Sequence, residues 1–239
     1  MVFADIYSAL STNAYPGRGI VMGVSPDGKK SVCAYFIMGR SSNSRNRVFE
    51  KTEDGIRTKA YDPSKLEDPS LIIYHPVREV AEGAIVTNGD QTDTIRDCLA
   101  EGKTFMDAMR LRKFEPDEPN FTPRISGLMA KDGSYCMSIL KSDMGDGSRC
   151  CRYLFEYDCP RPGTGTFIHT YVGDGNPLPS FEGEPERVMI TEDNAEALAA
   201  KLWENLNKDN KISLYVRYQD LVSGEIEEKI INVHECACK

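Results

Sequence analysis

Short apolar runs separated by tight-turn signals are the strongest constraint on how this chain can fold. Residues 20–24 and 31–38 are two such runs, joined by Ser25-Pro26-Asp27-Gly28, whose Pro and Gly preset the turn dihedrals. Residues 125–130 pass through Lys131-Asp132-Gly133 into 135–140, and 212–218 pass around Ser223-Gly224 into 226–233, two further hairpin signals. Residues 71–74, 84–87, 152–157 and 166–172 read as additional strands. Helical spacing is confined to three places. Ile95 and Leu99 mark 92–99, and Thr104 with Asp107 forms a capping-box signal ahead of Phe105, Ala108 and Met109. Ala195, Leu198, Leu202 and Leu206 form one stripe over 191–206. The stretch 173–186, with three prolines and three glycines, reads as an ordered loop.

Hairpins favour antiparallel pairing, and regular βα alternation is absent, so the fold class is α+β, with two stacked sheets and helices outside. At 239 residues and 40% hydrophobic content, one domain over 1–239 can bury a sizeable core. A net charge of −8 disfavours a nucleic-acid binder but leaves room for a small phosphorylated ligand held by a local cluster of cations. No stretch nears the roughly 20 apolar residues of a bilayer span, and the amino terminus lacks a secretory pattern, so a cytoplasmic protein without membrane partners is expected. Eight cysteines without a C-x-x-C then read as reduced thiols. The tail His234-Glu-Cys-Ala-Cys238 is more readily a frayed end than a metal site, and no metal is expected.

Three stretches carry candidate chemistry. Arg40-Ser41-Ser42-Asn43-Ser44-Arg45-Asn46-Arg47 sets three arginines in eight residues just after an apolar strand, and Arg18 precedes the neighbouring strand. Guanidinium forks suit phosphate, and a solvated polar loop is the plain alternative. Thr87-Asn88-Gly89-Asp90-Gln91-Thr92-Asp93 ends a strand and opens a helix. The acids there cap the helix and disfavour phosphate, leaving contacts to a sugar or base as the functional option. Glu115-Pro-Asp117-Glu118-Pro crowds carboxylates ahead of Arg124, and a carboxyl near other acids can have a raised pKa and carry a proton. His75 and His169 stand alone and read as structural. Motifs for dinucleotides, P-loop phosphates, zinc hydrolysis and the nucleophile elbow are absent.

Taken together, Gly17-Arg18, Ala34-Tyr35 leading to Arg40-Ser41 and Arg45, Tyr74, Asn88-Gly89-x-x-Thr92-Asp93-Thr94-Ile95 and Thr122-Pro123-Arg124-Ile125 resemble the archaeal-type IMP cyclohydrolase family over about residues 15–130. The later half, including 175–184, resembles longer bacterial relatives. The resemblance implies a four-layer αββα sandwich similar to N-terminal nucleophile hydrolases. It also implies closure of formylated aminoimidazole carboxamide ribonucleotide to inosine monophosphate with loss of water, a hydrolase-class step of purine biosynthesis that needs no cofactor.

By the same resemblance Arg45 and Tyr74 serve the oxyanion and substrate orientation, and Glu115 transfers the proton, with Asp117 and Glu118 as alternatives. Arg18, Arg40, Ser41 and Arg124 contact phosphate and ribose, and Asn88 and Thr92 face base or sugar. A non-catalytic purine-nucleotide binder of the same fold is the alternative function. An amidohydrolase exposing Ser11 or Thr12 as a processed nucleophile is a third. A homo-oligomer is compatible with all three.

Overall fold

A computed structural model describes residues 3–66, 69 and 72–234. Helix α1 (Ile6–Thr12) precedes the hairpin of β1 (Arg18–Val24) and β2 (Lys30–Met38). One helical turn, α2 (Ser42–Arg45), leads into β3 (Arg47–Thr52), β4 (Gly55–Ala60), β5 (Val77–Val80) and β6 (Gly83–Thr87). Helices α3 (Gln91–Ala100) and α4 (Phe105–Arg110) follow, then β7 (Arg124–Ala130), β8 (Tyr135–Asp143) and β9 (Asp146–Tyr157). Strands β10 (Thr164–His169) and β11 (Glu186–Met189), helix α5 (Ala195–Asn205) and the hairpin of β12 (Lys211–Asp220) and β13 (Ile226–Asn232) complete the order.

The strands form two sheets, β11-β10-β1-β2-β12-β13 and β3-β4-β5-β6-β7-β8-β9. Every pairing within them is antiparallel, and short turns set that direction for β1-β2, β3-β4, β5-β6, β7-β8, β8-β9 and β12-β13.

Strand alternation sorts the side chains into layers. Ile20, Met22, Tyr35 and Ile37 meet Val86, Ile125, Met137 and Ile139 between the sheets. On the far side of the six-stranded sheet, Val32, Ala34, Phe36 and Met38 pack against Ile6 and Leu10 of α1 and Leu198 and Leu202 of α5. On the far side of the seven-stranded sheet, Ile85 and Leu140 pack against Ile95, Cys98, Phe105 and Met109 of α3 and α4. Each fully buried aliphatic side chain contributes roughly 1.5–3 kcal/mol, so these three layers hold the sandwich together.

Two expectations need correction. The stretch 71–74 is not a strand in its described part, residues 72–74. There the Thr58 hydroxyl donates to Ile72 O at 2.7 Å and accepts from Tyr74 N at 2.8 Å, taking the place of a ladder partner. The last helix starts at Ala195 and not at Thr191, because Asn194 accepts from Ala197 N at 2.8 Å and caps it. The capping box at Thr104 and Asp107 is present on α4. Six cysteines, Cys33, Cys98, Cys136, Cys150, Cys151 and Cys159, are free thiols. Leu71, Cys236 and Cys238 lie outside the described residues. No helix among the described residues is long and apolar enough to cross a membrane.

Candidate active site

The alternation that buries Ile20, Ile37 and Phe49 between the sheets turns Arg18, Tyr35 and Arg47 the same way, because each lies two residues from one of them on β1, β2 or β3. Tyr74, from the loop before β5, places its hydroxyl 2.9 Å from that of Tyr35. Glu115 enters from the segment between α4 and β7, its backbone N–H donating to Thr122 O at 2.9 Å. Arginines, tyrosines and a carboxyl from five separate stretches thus share one buried region at an end of the sandwich.

The Glu115 side chain is 2% exposed, and its carboxyl has no hydrogen-bond partner or ion pair among the described residues. Burial pushes its pKa up to about 7; Arg18, Arg124 and Arg47 pull it down, and Asp117 adds to the rise. Burial disfavours charge on Arg18, yet Glu115, Tyr171, Tyr15 and Tyr74 more than offset this and hold it above the ordinary arginine value. Burial and then Arg18 lower the pKa of Arg47. Burial, and next the neighbouring Tyr74, push Tyr35 well above the ordinary phenol value.

The arginines carry unused donors. Arg47 is fully buried; its Nε donates to Ser44 O at 2.8 Å, while Nη1 and Nη2 have no partner among the described residues. Nε of Arg18 is likewise buried and has no partner among the described residues. An unsatisfied buried donor costs about 1–3 kcal/mol, more when charged, so two such guanidiniums beside an unbonded carboxyl form a site built for something else to complete.

The other sequence candidates divide by location. Arg40 lies near the rim, its guanidinium carbon 5.0 Å from the Tyr15 ring centre, paired with Asp174 and donating to Gly175 O at 3.0 Å. Ser41 is exposed and caps α2 by accepting from Ser44 N. Arg45 ends α2 and is half-buried. Its guanidinium donates to Gly39 O at 3.3 Å and to Asp209 O. Arg47, two residues later, is fully buried on β3 and is a charged neighbour of Glu115. Glu118 is exposed, and Asp117 accepts from the N–H of Thr122 at 2.7 Å and from its hydroxyl.

Asn88 and Thr92 are fully buried, and their polar atoms serve the protein itself. Asn88 donates to Pro123 O at 2.8 Å and accepts from Ile125 N and Gln91 Nε2. The Thr92 hydroxyl meets Thr87 Oγ1 at 2.5 Å and Gly89 O at 3.0 Å. This turn seats Arg124, whose Nη1 lies 2.6 Å from Gln91 Oε1 and 2.7 Å from Asp90 Oδ1. A Cβ at Gly89 would overlap that guanidinium, which explains the Asn-Gly pair.

Tyr171 was not anticipated. It follows β10, is buried, stacks on Tyr15 at 5.9 Å, and is an electrostatic neighbour of Arg18 and Glu115. No local pattern marks it, because its partners are distant in sequence. His75 and His169 have structural settings: His75 Nδ1 lies 3.0 Å from Arg78, and His169 lies between Tyr171 O and Glu186.

A family model described as IMP cyclohydrolase-like protein matches residues 15–225. The chain is 29% identical over 161 residues to the IMP cyclohydrolase of Methanococcus aeolicus, across 63% of this chain and 77% of that protein. It is 34% identical over 137 residues to the IMP cyclohydrolase of Methanococcus maripaludis, 54% of this chain and 65% of that one. With the Methanopyrus kandleri protein of the same name it shares 29% identity over 182 residues, 70% and 89% of the two lengths.

Proposed function

The chain belongs to the IMP cyclohydrolase-like family, and on that premise we propose that it closes formylated aminoimidazole carboxamide ribonucleotide to inosine monophosphate in purine biosynthesis. The observation that carries this reading is the pairing of unpartnered, buried Arg18 and Arg47 nitrogens with an unbonded carboxyl, Glu115, whose pKa lies near 7.

Ring closure makes specific demands. The carboxamide nitrogen, a poor nucleophile, attacks the formyl carbon of the same molecule. Holding the two arms together captures an intramolecular advantage whose ceiling is about 7–11 kcal/mol. Negative charge then develops on the formyl oxygen, and Arg47 with Arg18 supplies fixed donors for it; one such donor is worth about 10²–10³ in rate. Glu115, unprotonated in part at neutral pH, takes the proton from nitrogen. It returns that proton to the oxyanion, giving the tetrahedral hydroxyl. It then takes the proton of the formamide nitrogen as the ring C=N bond forms and the C–O bond breaks, and passes it to that hydroxyl, which departs as water, so the carboxyl ends as it began. The Tyr35–Tyr74 hydroxyl pair orients the carbonyl groups.

The oxyanion role accordingly moves from Arg45 to Arg47, since Arg45 is held by two backbone carbonyls. Arg40 and Ser41, both exposed, are proposed as the groups that meet the phosphate. Arg124 is proposed as a fixed charge beside Glu115, and Asn88 and Thr92 as builders of the turn beneath it and not as ligand contacts. The helix–sheet–sheet–helix order supports kinship with the N-terminal nucleophile hydrolase fold. Ser11 and Thr12, by contrast, lie in α1 with hydroxyls bonded to Ser8 O, which favours the arginine–carboxyl chemistry over a hydroxyl nucleophile.

The test is direct. Purified chain mixed with the fresh formylated nucleotide, with a chelator present, should form inosine monophosphate far above the buffer blank. No product above the blank overturns the proposal.

A further inference from the structure

The second half of the chain supplies a group to this region whose proton is already committed. Thr122 Oγ1 donates to the Asp117 carboxylate, which can only accept. A threonine hydroxyl has one hydrogen, so its 2.6 Å contact with the Tyr171 hydroxyl runs the other way: Tyr171 donates and Thr122 accepts. Asp117 is held in place by Thr122 N–H at 2.7 Å, which fixes the direction of the whole relay. The remaining lone pair of the Tyr171 phenol therefore faces its surroundings as an acceptor only.

Those surroundings are the candidate site. Arg18 is the charge that most strongly opposes burial in setting the Tyr171 pKa, and Glu115 also acts on it. The backbone reinforces the placement. Thr170 N donates to Arg18 O at 3.0 Å, Arg18 N donates to Thr170 Oγ1 at 3.1 Å, and Tyr171 N donates to Pro16 O at 3.2 Å. Gly17, at φ +77°, leaves the only room for this clamp, because a Cβ there would overlap both the Thr170 hydroxyl and the Tyr171 ring. The Gly17-Arg18 pair is thus explained as the seat of Tyr171 as well as the start of β1.

We propose that Tyr171 is a specificity-determining residue that accepts a hydrogen bond from an N–H or O–H of the bound nucleotide, and that the Asp117–Thr122 pair keeps it from acting as a donor. This rests on the reading of the site as nucleotide-binding and deepens it. A ligand presenting a lone pair at that point meets another lone pair and is rejected, whereas an amide or hydroxyl donor is held. A phenylalanine at 171 would keep the stack on Tyr15 and lose only the acceptor.

The experiment compares wild type, Tyr171→Phe, Thr122→Val, Thr122→Ser and the Tyr171→Phe/Thr122→Val pair. KM and kcat are measured for ring closure, and calorimetric Kd for aminoimidazole carboxamide ribonucleotide, which has no formyl group to react. Tyr171→Phe should raise KM and Kd roughly tenfold, about 1.4 kcal/mol for one hydrogen bond, with kcat within about threefold. Thr122→Val should raise both at least about threefold by freeing the Tyr171 proton, and Thr122→Ser, which keeps the relay, should stay near wild type. The double variant should be no worse than Tyr171→Phe alone, since both changes remove one acceptor. Unchanged KM and Kd in folded Tyr171→Phe, or effects that multiply in the double variant, overturn the proposal. Should wild type bind the unformylated nucleotide but not close the formylated one, the reaction assignment fails and the Kd series still decides Tyr171. Should it bind neither, both fall.

Discussion

Replacing Glu115 with glutamine should disable the enzyme and, above neutral pH, make the ligand-free protein more stable. A buried carboxyl with a folded pKa near 7, against an ordinary 4.5, binds its proton more tightly in the folded state than in the unfolded one. Its contribution to stability is therefore complete below about pH 4.5 and is lost as pH rises through 7. At about 1.36 kcal/mol per pK unit, the ionised carboxylate at pH 8 costs about 3 kcal/mol relative to its neutral form. Glutamine has the same shape and stays neutral, so Glu115→Gln should exceed wild type by about 3 kcal/mol at pH 8 and by under about 1 kcal/mol at pH 5. For a chain of this length that corresponds to roughly 6–12 °C in Tm at the higher pH. Ring closure should fall about 10²–10⁴-fold, the usual worth of a positioned acid–base group. Thermal melts at pH 5 and pH 8, paired with initial rates at neutral pH, read both effects. A variant that melts at or below wild type at pH 8 would refute the reasoning, for Glu115 would then be stabilised as an anion.

Three further outcomes follow from other parts of the molecule. Asn88→Ala leaves two buried backbone groups, Pro123 O and Ile125 N, without their side-chain partner, while Gln91 Nε2 keeps Ile125 O, so urea unfolding should show a loss of about 2–4 kcal/mol; a loss below about 1 kcal/mol would contradict the bracing role. Asp174→Asn removes the acid paired with Arg40 at the rim. If Arg40 meets the substrate phosphate, KM should fall about two- to threefold at low salt and converge with wild type at high salt, and a salt-independent KM would count against that contact. Between the sheets, Arg217 of β12 reaches Glu79 of β5 at 2.8 Å, and the arginine is fully buried while the glutamate is only partly so. Glu79→Ala should therefore destabilise by about 3–5 kcal/mol and by more than Arg217→Met in chemical denaturation; the reverse order would contradict the burial argument.

Much of the architecture was legible because turn chemistry and strand alternation are local. The Asp27-Gly28 and Asp132-Gly133 turns specify their hairpins, and Thr104 with Asp107 specifies a helix start. Strands β3 and β4 escaped notice because one face carries Glu50, Arg57 and Lys59, which pair in solvent and blur the apolar alternation. The arginine loop illustrates the limit at the site. Arg45 and Arg47 are equally plausible by composition and share the parity of Phe49; only a strand not foreseen, which begins at Arg47 and leaves Arg45 in α2, decides which turns inward. Tyr171 lies 49 residues from Thr122 in sequence, so its relay exists only once β10 pairs with β1. Asn88 and Thr92 show the converse: their local pattern is easily read, but the bonds that bury them, to Pro123, Ile125 and Thr87, appear only in the fold.

The account stands most directly on the turnover of Arg47→Ala beside Arg45→Ala at neutral pH, each checked for a wild-type melt. The unpartnered Arg47 nitrogens require that Arg47→Ala lose at least about 10²-fold in kcat/KM while Arg45→Ala retains most of it. Full activity in Arg47→Ala, with the loss appearing in Arg45→Ala, would contradict the site as drawn.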